Sequence, residues 1–176
     1  MYDFKNGLRA SADSRKPNTP IMAGFAVNMT DEEINQTAEY FGSMRWTPWI
    51  EVIETDTVPK TRIAGGMHLK LEGAEAGTEP LGNRIVESPK NAEHTEMLRD
   101  PRSGFYAYVP KGSVGRGKEL ALYGNEGVTS CTVCHGQDLN GLAIVPSLHG
   151  RSPSYIARQL ADMKEGKRRG AWTPLM

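Results

Sequence analysis

Cys131 and Cys134 stand three residues apart and are followed at once by His135, in the stretch CTVCHG. They are the only 2 cysteines in the chain, so a disulfide framework is excluded. Two thiols at this spacing can each add across one vinyl group of a haem, and the adjacent histidine then lies beneath the iron as an axial ligand. Other chemistries use parts of the pattern. A structural zinc site wants four ligands, and the further candidates His68, His94 and His149 lack the C-x-x-C or H-x-x-x-H spacing. A thioredoxin-like dithiol wants a strand before the first cysteine and a helix starting at it. Here a helical pattern precedes the motif and a glycine-rich loop follows. Cysteines serving no cofactor are the last alternative.

The elements around the motif can be read from periodicity. GKELALYG is helical, with Leu120 and Tyr123 on one face and Gly115, Gly117 and Gly124 as punctuation, and it leads into the cysteines. Beyond the loop, RSPSYIARQLADMKEG predicts a helix with Ser152 as N-cap and Pro153 at its first position. Ile156, Leu160 and Met163 form its apolar face, and Gly166 is its stop. Far upstream, Thr30 and Glu33 make a T-x-x-E capping box, and Ile34, Ala38 and Phe41 a stripe, for a helix over 30–43. Between these lies a segment with alternation in WIEVIET, then NRIVES, then GFYAYV, with Gly and Pro among them, and it predicts strands and loops.

Composition narrows the partners. Twenty-one Lys and Arg balance 21 Asp and Glu in 176 residues, so nothing suggests a general attraction for nucleic acid or an anionic membrane. The chain contains no apolar run of the ~20 residues that span a bilayer, hence no transmembrane segment, and its first residues lack the apolar core of an export signal.

A repeat organises the chain. Asp3, Lys5, Gly7 and Arg9 align with Asp162, Lys164, Gly166 and Arg168, and the phrase T-P-x-M recurs, ending on Met22 and on Met176. Two helix ends that both carry Lys, Gly and Arg by coincidence are the alternative. Taken as a true repeat, the pattern gives the second half of one module at 1–43, a connector at 44–113 and the first half of another module at 114–176.

The stretch 114–176, with C-x-x-C-H, V-P-x-L-x-G-R, S-P-x-Y and T-P-x-M in order, resembles a class I c-type cytochrome module, most like the bacterial two-haem kind. The resemblance implies a mainly α fold, with cytochrome c-like helical haem modules joined by the strand-and-loop connector. It makes Cys131 and Cys134 the thioether positions and His135 the proximal ligand. Pro146 matches the proline whose carbonyl accepts the His135 Nδ1 proton, the alternative being a proline that only shapes its loop. His149 matches a position that braces a loop. A thioether opposite histidine favours the reduced ion, and Met176 is the expected sixth ligand. Met163 is expected in the core of its helix, and Met67 and Met97 lie outside the module. By the repeat, Met22 would serve a first haem, whose C-x-x-C-H would precede Met1.

The function so implied is electron transfer by covalent haem c, between a periplasmic dehydrogenase or respiratory complex and an acceptor. The chain would be a carrier, not an enzyme, or the cytochrome subunit of an oxidoreductase, with redox proteins as donor and acceptor. One haem would be held here and a second in an intact parent. Thioether formation occurs outside the cytoplasm, so a periplasmic parent is expected, its leader lost together with the first haem site. A haem-linked sensor or enzyme subunit, and a non-functional fragment of an interrupted gene, are the alternatives. KEGKRR would present charge to a redox partner or solvate a helix end, and Trp46, Trp49 and the tyrosines of GFYAYV would pack the connector or form an inter-module contact.

Overall fold

A computed structural model describes residues 5, 19–45, 47–170 and 173–176. Most of the first repeat phrase, including Asp3, Gly7 and Arg9, lies outside the described residues, as does Trp46. The chain groups into two compact units, one of residues 1–46 with 157–176 and one of 47–156. Helix predominates outside the connector, and every described strand falls between Ile50 and Val109, so the mainly α reading with a strand-and-loop connector holds. Among the described residues no helix is long and apolar enough to cross a membrane.

In the first unit, α1 (Thr19–Asn28) is followed by α2 (Asp31–Ser43). Thr30 caps α2 as expected. Its hydroxyl accepts from the Glu33 N–H at 3.2 Å, and its own N–H donates to the Glu33 carboxylate at 2.7 Å. The Thr30 N–H bond first, and then the bond that the Thr30 hydroxyl donates to the same carboxylate at 3.0 Å, hold the Glu33 carboxyl below its usual range. Lys5 Nζ donates to Met29 O at 2.9 Å and pairs with Asp31 at 2.6 Å, tying the segment before α1 to the start of α2. Of the expected apolar stripe only Ile34 is buried, while Ala38 and Phe41 are exposed.

The second unit is built around a three-stranded sheet, β1 (Ile50–Glu54), β7 (Phe105–Val109) and β6 (Val86–Pro89), with β7 in the middle. β1 runs parallel to β7, and β6 antiparallel. β2 (Thr57–Pro59) pairs with β5 (Thr78–Pro80). β3 (Thr61–Ala64) and β4 (Met67–Lys70) form a hairpin closed by Gly65 and Gly66, whose φ values of 57° and 77° give the two positive-φ turn that suits strand twist. Val58, Leu81, Val86 and Tyr108 form the core, with Ile53 and Tyr106 packed on it. Tyr106 also lies beneath the ammonium groups of Lys70 and Lys90, 4.9 and 5.0 Å from its ring centre. A short α3 (Ala92–Glu96) connects β6 to β7. Of the two alternatives for the tyrosines of GFYAYV, the structure shows connector packing.

After the sheet come α4 (Ser113–Tyr123), the single turn α5 (Thr132–His135) and α6 (Pro153–Lys164). α4 runs through Gly115 and Gly117 without interruption and stops at Gly124, whose N–H reaches Leu120 O at 2.9 Å. Ser152 caps α6 through Tyr155 N–H at 3.0 Å, and Gly166, at φ 67°, ends it. The expected apolar face of α6 is not the buried one: Leu160 is 44% exposed, whereas Gln159 and Asp162 are buried. The cause lies after the helix, where the Lys167 and Arg168 N–H groups return to Asp162 O at 2.7 and 3.0 Å and Arg168 binds the Gln159 amide at 3.0 Å.

Two predictions follow from this packing. Leu81 is fully buried, so Leu81→Ala is expected to lower stability by about 2–5 kcal/mol in urea titration. The folded pKa of Glu33 lies below its unfolded value, so its contribution is complete above the unfolded value and is lost as pH falls through the folded one. Amide protection at residues 31–34 should decline over that acid window in the native chain, and the Glu33→Gln chain should lack that component.

Candidate functional site

The site begins where α4 ends. Past Gly124, Asn125 and Val128 exchange backbone hydrogen bonds of 2.9 and 3.0 Å, closing a tight turn. Ser130 Oγ then lies within 3.0 Å of Ala121 O and 2.8 Å of Leu122 O, and the Cys131 N–H donates to Ala121 O at 3.0 Å. The first cysteine is therefore seated on the last turn of α4.

One helical turn places the three reactive groups. The His135 N–H donates to Cys131 O at 2.9 Å, so Cys131, Cys134 and His135 share the i, i+3, i+4 face of α5. Both thiols are free, Cys131 half-buried and Cys134 exposed, while His135 is 5% exposed. His135 Nδ1 is 2.7 Å from Pro146 O. A carbonyl only accepts, so Nδ1 carries a proton, and in the neutral ring the lone pair is then on Nε2.

The loop that brings Pro146 to the ring is held by its own backbone. Gly141 N–H donates to His135 O at 2.8 Å, and Leu139 O accepts from the Leu148 and His149 N–H groups at 2.8 and 3.1 Å. The backbone of His149 thus braces the loop, as its place in the phrase implied. Leu142 and Val145 exchange hydrogen bonds of 3.1 and 2.9 Å. This is the same turn as the one at Asn125 and Val128. Both turns follow a glycine with positive φ, 71° at Gly124 and 93° at Gly141. At both, an added Cβ would strike the carbonyl four residues on, at 2.3 Å for Gly124 and 2.8 Å for Gly141. The underlying sequence, G-x-x-x-V-x-S, reads GNEGVTS before the cysteines and GLAIVPS after them. That repeated phrase was available in the sequence and marks Gly124, Ser130 and Gly141 as site-building residues.

Cys131, Cys134, His135 and Pro146 come together in one unit, and Met22 and Met176 belong to the other. Met176 follows a 3-10 turn at Thr173–Leu175 and is 51% exposed; Met22 lies in α1. Met163 is half-buried on α6. The remaining histidines are engaged apart from the site, His68 with Thr61 at 3.1 Å and His94 with Asp100 at 3.3 Å. Among the described residues no group of three or more His, Cys, Asp or Glu is placed to hold a metal ion.

Two free thiols and a buried imidazole with an available Nε2, all on one helical turn, are the donor set of a protein with covalently attached haem. Three curated relatives match the chain. It is 49% identical to the cytochrome subunit of sulfide dehydrogenase of Chlorobaculum tepidum over 53 residues, 30% of this chain and 42% of that one. It is 28% identical to cytochrome c4 of Stutzerimonas stutzeri over 129 residues, 62% of this chain and 61% of that one. It is 37% identical to cytochrome c-554(548) of Halomonas halodenitrificans over 57 residues, 32% of this chain and 69% of that one. The chain therefore spans 42% and 61% of the length of the first two relatives. No protein-family model matches it, and no solved structure gives a significant match. With these matches and this site, the chain belongs to the c-type cytochromes. Covalently bound haem c is the cofactor of that family.

The turn geometry is testable. Gly141→Ala would combine a φ of 93° with a Cβ 2.8 Å from Val145 O, whereas Gly127, at φ 87°, faces open space. Gly127→Ala is expected to lose only the left-handed backbone term, about 1–2 kcal/mol, and Gly141→Ala distinctly more in thermal unfolding.

Proposed function

We propose that the chain carries electrons through one covalently bound haem c, with Cys131 and Cys134 forming the thioether bonds and His135 Nε2 as the proximal ligand. The observation that carries this reading is the 2.7 Å bond from His135 Nδ1 to Pro146 O, which fixes the tautomer and leaves Nε2 as the donor beside two free thiols. When bound, the haem supplies one-electron chemistry at iron. The protein residues hold the imidazole, raise its basicity through Pro146 and seat the thiols on α5.

We assign the sixth ligand to Met176 from its place in the T-P-x-M phrase, and Met22 to a first haem of a longer parent. On this reading 1–43 is the end of one cytochrome module, 44–113 a connector and 114–176 the start of a second. The donor and acceptor are redox proteins. Haem attachment to reduced thiols outside the cytoplasm places the protein in the periplasm. The sulfide dehydrogenase relative favours a second form of the same reading, in which the chain is the cytochrome subunit of an oxidoreductase.

Protein matured in a periplasm that processes a control cytochrome should gain the mass of one haem and show a reduced c-type spectrum. Cys131→Ala with Cys134→Ala should abolish the mass gain. Colourless wild-type protein would refute the reading, and an unchanged sulfur-to-iron band in Met176→Ala would remove only the sixth-ligand assignment.

A further inference from the structure

The connector grips the histidine loop at two points. Trp49 Nε1 donates to Gly150 O at 3.0 Å, four residues beyond the carbonyl that meets His135. Glu87 takes the Ser152 hydroxyl at 2.7 and 2.8 Å, the Ser154 hydroxyl at 2.7 Å and the Ser154 N–H at 3.0 Å. All of these residues lie in the second unit.

Both anchors hang from the central strand. Glu87 pairs with the fully buried Ala107 of β7, and its neighbours Val86 and Ser88 are buried, so strand alternation turns Glu87 to the opposite side. Trp49 accepts the Phe105 N–H through its carbonyl at 2.7 Å, and its ring meets Phe105 edge-on at 5.8 Å. The sheet holds α4 as well, since Glu54 at the end of β1 accepts the Val114 N–H at 2.7 Å.

Capping alone does not account for Glu87. Ser152 already caps α6 through the Tyr155 N–H at 3.0 Å, so the carboxylate is an additional tether between the strand and the loop. On its other side the loop is fixed by the two N–H groups that meet Leu139 O. Pro146 O is thus held between two fixed ends.

We propose that the connector is a positioning scaffold for the proximal histidine, with Trp49 and Glu87 as positioning residues that act through the loop 146–154 on the His135 Nδ1 bond. This rests on the assignment of His135 as the haem ligand. Loosening the loop lengthens the bond to Pro146 and leaves the imidazole a weaker donor to the oxidised iron, which raises the reduction potential.

The test uses the haem-loaded full chain and its variants Glu87→Gln and Trp49→Phe. The readouts are the reduction potential, the His135 ring resonances of the oxidised protein and the melting temperature. The expected result is a raised potential with shifted ring resonances in both variants. Glu79→Gln, which releases Arg84 from its 2.8 Å pair on β5, should leave potential and resonances at wild-type values. Should Glu87→Gln fail to mature, Trp49→Phe decides, because it removes one N–H donor and keeps an aromatic ring. Folded variants with lowered melting temperature but unchanged potential and resonances would overturn the scaffold role while leaving the haem assignment intact. Wild-type protein without covalent haem would overturn both.

Discussion

A buried imidazole needs a partner for its N–H, and where one ring nitrogen must stay free the partner of the other fixes both tautomer and orientation. His135 meets this need with a backbone carbonyl, Pro146 O, eleven residues downstream. Backbone cannot be re-aimed by a side-chain rotation. The loop from Gly136 to Ser152 therefore has to be built to a fixed shape, and much of the second unit contributes to holding that shape.

Inside the loop, the shape comes from backbone conformations that few residues adopt. Gly136, Leu139, Gly141 and Ala143 all have positive φ, and Gly141 sits where a methyl group would collide with Val145 O. The turn before the cysteines uses the same construction at Gly124, so one local device frames the thiols and the histidine on both sides. Outside the loop, the sheet supplies two carboxylate acceptors at the helix starts, Glu54 and Glu87, and one donor to the loop, Trp49 Nε1–H to Gly150 O. The electrostatics agree with this arrangement, since a carboxylate at a helix start meets unpaired N–H groups and the positive end of the helix dipole.

Local patterns were legible where the physics is local. The capping box at Thr30, the N-cap at Ser152 and the stop at Gly166 depend on neighbours within four residues, and each lies where the pattern places it. The buried side of α6 was not legible. Periodicity selects Ile156, Leu160 and Met163, yet Gln159 and Asp162 are covered because the chain after Gly166 folds back on them. Likewise the phrases WIEVIET and GFYAYV announce strands but not that β1 would lie parallel to β7, a pairing across more than fifty residues.

By itself the sequence determined the type and spacing of Cys131, Cys134 and His135, two thiols and an imidazole, while the helical turn that puts them on one face was shown by the structure, where the His135 N–H returns to Cys131 O. The resemblance carried by the following phrases also named Pro146. Tertiary structure decided which distant groups hold that proline in place. Nothing in the local pattern of Trp49 or Glu87 points to Gly150, Ser152 or Ser154, since those contacts exist only after β7 has paired with β1 and β6. The physical reason is reach, because spacing specifies neighbours within a turn or two and only the folded sheet can bring a carboxylate to a loop 65 residues away.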